Sequence, residues 1–153
     1  MPTPAGSLPG VRPVGGARAH RATRSWLIGL EIALAVLAIG GGISLIAFGA
    51  GMPSSTIERF PFGSAALGGV ALILANGVLP AVVAAGELRH AAWARVGHLV
   101  VGATLMFWVL VQIGFIGLDS FLQPALFTWG AVITSLGILD GRDSWPVAGR
   151  DDG

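Results

Sequence analysis

Residues Trp26 to Phe48 read WLIGLEIALAVLAIGGGISLIAF, an apolar run interrupted only by Glu31. A helix rises about 1.5 Å per residue, so a run of roughly 20 apolar residues matches the ~30 Å hydrocarbon layer of a bilayer. Three further blocks of the same character follow at about 64–86, 96–118 and 121–139. The pattern predicts an all-α polytopic membrane protein, with a four-transmembrane-helix bundle over 26–139. A cleaved signal peptide competes for the first block, because arginines precede it and the small residues Ala47 and Gly49 end it. The run is longer than the ~7–15 apolar residues of a signal sequence, which favours a retained helix.

Composition supports the membrane assignment. Of 153 residues, 54% are hydrophobic and 11% charged, too few polar side chains to cover a water-facing surface. The absence of cysteine excludes disulfides, thiolate nucleophiles and iron–sulfur ligation. All nine basic residues are arginine, which together with abundant alanine and glycine is expected of a high-GC bacterial gene. A net charge of +1, with arginines scattered rather than gathered on one face, gives no basis for nucleic-acid binding.

Residues 1–25 carry Pro2, Pro4, Pro9 and Pro13 with Arg12, Arg18, Arg21 and Arg24 and no apolar periodicity. They read as a disordered basic tail drawn to anionic lipid headgroups, an attraction of about 1 kcal/mol per arginine close to the surface. Residues 140–153 read as a short second tail. Eight of the nine arginines lie in the two tails and the 87–95 turn, and only Arg59 lies in the other loops. The positive-inside rule then predicts both termini in the cytoplasm, in a bacterial cytoplasmic (inner) membrane, with Trp26 and Trp93 at that interface. Between the third and fourth blocks, Ser120 and Gln123 have the spacing of a capping box, and Pro124 suits a first helical turn.

An unpaired polar group in hydrocarbon is costly, so the few polar residues within the blocks are the candidate site. Glu31 shares a helical stripe with Ala35, Ala38, Gly42 and Gly49, a narrow face that suits close helix packing. It reads either as a protonatable coupling residue or as a carboxylate that snorkels to the interface or pairs with Arg24, Arg95 or His98. Asn76 lies mid-way along the second block, four residues before Pro80. The proline removes the N–H that would bond the Asn76 carbonyl, predicting a kink there. Gly69, Asn76, Pro80 and Glu87 share a face that either lines a cavity or bonds a neighbouring helix.

Thr104, Trp108, Gln112, Phe115 and Asp119 form a polar and aromatic stripe on the third helix, and Trp129 lies at mid-depth on the fourth. Trp108, Trp129, Gln112 and Asn76 together are candidates to line a site for a lipophilic ligand; core packing is the competing role for both indoles. His98 has no His or Glu partner at helical spacing, so no metal or haem ligation is expected, and no cofactor is assigned. No catalytic constellation is visible, and the run Gly40 to Gly42 lacks the strand-to-helix setting of a phosphate loop.

The segment WVLVQIGFIGLDSFLQP, with Trp108, Gln112, Gly117, Ser120, Leu122, Gln123 and Pro124, and the preceding PFGSAALGG from Pro61 to Gly69 resemble a recurring pattern. It is similar to that of small four-helix integral membrane proteins of high-GC bacteria, over roughly residues 26–139. The resemblance implies the four-helix fold and brings no activity, ligand or catalytic residue with it. Helix number and an acidic residue in the first helix also resemble small multidrug-resistance exporters, although this chain has no tyrosine and a longer first loop.

Three classes of function follow. The first is a non-enzymatic accessory or assembly subunit, packing against a membrane-protein partner or lipid through its small-residue stripes. The second is an oligomeric small carrier or channel subunit with Glu31 as coupling residue, for which a homo-oligomer supplies the polar lining one chain lacks. The third is a membrane enzyme acting on a lipophilic substrate.

Overall fold

The computed structural model describes residues 15–60, 63–118 and 120–142, with side chains between residues 21 and 140. Helix α1 runs Gly15–Phe48, followed by a 3-10 turn Gly49–Gly51 and a one-turn helix α2, Ser54–Ile57. Helix α3, Ala65–Leu72, passes through a π-helical turn, Ile73–Val78, into α4, Leu79–Leu88. Helices α5, Ala94–Ile116, and α6, Leu122–Arg142, form a second hairpin. The described residues are all-helical, and four helical stretches are long and apolar enough to cross a membrane: Arg21–Gly51, Ala65–Leu88, Ala94–Ile116 and Leu122–Asp140. Large apolar side chains face outward along them, among them Val36, Leu74, Phe107 and Val132, which suggests a membrane-spanning protein.

Helix α1 begins at Gly15, eleven residues before the expected start at Trp26. Ala17, Ala19 and Ala22 are strong helix formers, and α1 extends beyond the apolar block through them. Residues 1–14 and 143–153 of the two expected tails lie outside the described residues.

Each hairpin crosses at a pair of glycines. A Cβ on Gly42 would lie 2.8 Å from the Gly69 carbonyl oxygen, and one on Gly69 would lie 2.6 Å from that of Gly42. Gly102 and Gly130 repeat the arrangement between α5 and α6, at 2.6 Å and 2.9 Å. Without side chains at these points the backbones approach closely, which compensates for the lack of a hydrophobic driving force between helices in lipid. The small-residue stripe of α1 is therefore used inside the chain: Ala35, Ala38 and Gly42 are all buried.

The π-helical turn falls where Asn76 and Pro80 predict a kink. The Leu79 N–H bonds the Leu74 carbonyl, five residues back, so the helix changes hydrogen-bond register just before the proline that cannot donate. Gly69, Asn76, Pro80 and Glu87, on either side of and within this turn, are all buried. On either side of it the packing differs, with α3 chiefly against α1 and α4 against both α1 and α5.

Local sequence sets the ends. Gly49, Ala50 and Gly51 have φ of 60°, 52° and 70°, turning the chain sharply after α1; glycine tolerates this region, whereas Ala50 bears a steric cost. The Ser64 hydroxyl accepts the Leu67 N–H at 3.3 Å and caps α3. Ser64→Ala is expected to lower stability by about 0.5–2 kcal/mol, read as a lowered midpoint of unfolding in mild detergent. The capping box at α6 forms only in part. Ser120 Oγ accepts from the Leu122 N–H at 3.2 Å, but Gln123 Nε2 reaches back to the Gly117 carbonyl at 2.9 Å. Gly117, at φ 79°, turns the end of α5 so that this carbonyl comes within reach.

Candidate functional site

The buried core cluster joins Leu27, Leu34, Val83, Val101, Leu105 and Ile133 from all four long helices. The cluster runs from the middle of the bundle toward the end that carries Arg24 and Arg95, where charged side chains assemble. Glu31 and His98 are both fully buried, and His98 Nδ1 lies 2.7 Å from Glu31 Oε1. His98 Nε2 faces Glu87 Oε2 at 3.4 Å, an ionic contact longer than a hydrogen bond. Glu87 Oε1 receives Arg24 Nε at 2.5 Å, while Arg24 also donates to the Glu87 backbone carbonyl. The chain Arg24, Glu87, His98, Glu31 thus ties together α1, α4 and α5.

Helical spacing explains how these residues meet. Arg24 and Glu31 are seven residues, two turns, apart on α1 and share a face. Glu87 lies one turn after the buried Val83 and Ala84 of α4. His98 belongs to the inward face of α5 with Val101, Gly102, Leu105 and Val109. The sequence offered Arg24, Arg95 and His98 as partners for Glu31; the geometry selects His98. Arg24 sits on α1 and is engaged by Glu87, rather than belonging to a free tail.

The hydrogen bond between Glu31 and His98 has two forms. An ionised Glu31 accepts from the Nδ1–H, whereas a protonated one donates to Nδ1. The buried pair carries no net charge whether the shared proton sits on His98 or on Glu31. A low-dielectric interior favours such a neutral arrangement. Glu31 Oε2 has no hydrogen-bond partner among the described residues. A small polar recess of about 110 Å3, lined by Arg24, Glu87, His90, Arg95 and Asp140 with Ala91 and Ala92, opens beside Glu87. Among the described residues no group of three or more His, Cys, Asp or Glu is arranged to hold a metal ion.

The other sequence candidates do not converge. Asn76 is 1% exposed, and neither atom of its amide has a hydrogen-bond partner among the described residues, so it is not a bond between helices within the chain. Trp108 and Gln112 line an apolar cavity of about 530 Å3 with Phe115, away from Asn76. Trp129 packs against the core cluster, and Pro80 is buried in the first turn of α4. Asp119, the last member of the α5 stripe, lies outside the described residues. Sequence reasoning missed Glu87 and Arg24 as site residues, although the Arg24 to Glu31 spacing and the face shared by Asn76, Pro80 and Glu87 were available signals. No protein-family model, curated protein or solved structure matches the chain.

Proposed function

We propose that the chain is a non-enzymatic membrane protein that takes up and releases a proton at Glu31 and His98, as the coupling element of a small oligomeric carrier. The observation that carries this reading is the fully buried carboxylate–imidazole pair at 2.7 Å, continued through Glu87 to Arg24. Ionisable groups inside a membrane bundle are retained at a cost, and proton relays are among their commonest uses. The recess bordered by Glu87, which in turn contacts His98, lies at the arginine-rich end, and the positive-inside rule assigns that end to the cytoplasm of a bacterial inner membrane. A homo-oligomer supplies further lining for a substrate path.

The accessory-subunit reading depended on small-residue stripes open to a partner. Gly42, Gly69, Gly102 and Gly130 are occupied by contacts within the chain, which weakens its main support. An enzyme acting on a lipophile would need titratable groups at the cavity that holds Trp108 and Gln112, and among the described residues its lining has none.

Infrared difference spectroscopy of the purified protein, titrated from about pH 5 to 9, tests the proposal. A carboxylic C=O band is expected to appear and vanish with pH in the wild type and to be absent from Glu31→Gln, which keeps the shape and an amide oxygen for His98. A spectrum in which no pH-dependent carboxyl band is removed by Glu31→Gln defeats the proton role. Flux of a candidate substrate in vesicles that Glu31→Gln leaves unaltered defeats the coupling role.

A further inference from the structure

The half of the bundle away from Glu31 holds the cavity of about 530 Å3, and the geometry points to one acyl chain of a diacyl membrane lipid as its occupant. Helix α3 packs chiefly on α1, whereas α4, beyond the π-helical turn, packs on both α1 and α5, and a wedge stands between α3 and the far end of α5. Leu45, Leu72, Trp108 and Phe115 wall the wedge, and Phe60 from the connection after α1 also borders it. Its volume falls within the ~300–1,000 Å3 of pockets that enclose most of a bound small molecule.

The chemistry of the lining selects the class of ligand. Among the described residues no charged side chain borders the cavity, so none of them offers a phosphate or ammonium group a counter-ion there. Gln112 provides the one side-chain amide, and it lies four residues, about 6 Å, before the end of α5 at Ile116. For a helix that spans the bilayer, that depth is close to the level of the acyl esters. An ester carbonyl there accepts from the Gln112 amide, the hydrocarbon runs inward past Trp108, and the headgroup stays outside. Gly41 and Ala71 leave the inner end of the space open for the chain.

The test uses the full chain with Trp26, Trp93, Trp129 and Trp145 changed to phenylalanine, so that Trp108 alone emits. In vesicles of phosphatidylcholine with brominated acyl chains, Trp108 is expected to be quenched at least three-fold more strongly than after Gly41→Leu with Ala71→Leu. A Cβ on Gly41 meets only Leu72 Cδ2 at 3.7 Å, an ordinary contact, so the filling residue has room. Equal quenching before and after filling overturns the proposal. Native mass spectrometry of the otherwise unaltered protein gives a reading independent of the filled variant. One diacyl lipid per chain is expected to be retained, falling at least five-fold in Gln112→Leu, and a lipid-free wild-type chain overturns the proposal.

Discussion

His98→Ala is expected to destabilise the bundle by about 3–5 kcal/mol, the usual cost of removing one partner from a buried charged pair. The imidazole faces Glu31 through Nδ1 at 2.7 Å and Glu87 through Nε2 at 3.4 Å. Without it, two carboxyls remain in the interior with Arg24 as the one cation of the cluster. Glu31 then keeps neither a charge partner nor a hydrogen-bond partner among the described residues. The loss is read as a lowered midpoint in SDS-driven or thermal unfolding of the protein in mild detergent. Glu31→Leu combined with His98→Leu is expected to recover most of that loss, because replacing both partners by apolar groups leaves no orphaned charge. A single His98→Ala cost below about 1 kcal/mol, the value of an exposed ion pair, would contradict the pairing.

The same interaction separates structure from function. Glu31→Gln keeps a side-chain oxygen at the position of Oε1 and loses the proton-binding carboxyl. It is expected to unfold close to the wild type while losing the pH-dependent carboxyl band. A variant that lost the band only because the bundle had collapsed would show it in the unfolding midpoint.

The helices were legible because crossing a bilayer demands long uninterrupted apolar runs, and the four blocks near 26–48, 64–86, 96–118 and 121–139 announce themselves. Glu31 was legible for the same reason: a lone carboxylate within such a run stands out. Its partner was legible only as one of three, because sequence gives each residue's depth along its own helix and its face, but not which neighbouring face it meets. That is also why Asn76, Trp108, Gln112 and Trp129, all read as one lining, separate in three dimensions. Trp108 and Gln112 border the cavity, Asn76 lies buried on the second long helix, and Trp129 packs on the core. Pro80 announced a disturbance, but a bend and a π-helical turn both relieve a missing N–H. Sequence does not distinguish them, and the close contacts of this segment, Gly69 on Gly42 and Gly77 on Ile39, are tertiary.

Gly102→Ala is expected to cost about 3 kcal/mol, the upper end of the range for overpacking, and Gly102→Val more. The added Cβ would lie 2.6 Å from the Gly130 carbonyl oxygen and 3.0 Å from the Thr134 backbone nitrogen, besides striking the Thr134 hydroxyl. Two of those atoms are backbone, so a rotamer change does not relieve the clash and α5 must move away from α6. That movement also disturbs Gly130, whose own Cβ position lies 2.9 Å from the Gly102 carbonyl oxygen. Gly114→Ala, on the same helix, is the control. Nothing lies within 4 Å of its Cβ position, so the substitution gains up to ~1 kcal/mol of helix propensity with no clash. The measurement is the difference between the two unfolding midpoints. If Gly102→Ala unfolds no earlier than Gly114→Ala, the glycine crossing does not hold the second hairpin. The register of α6 that brings Asp140 to the recess beside Glu87 would then have to be set by other contacts.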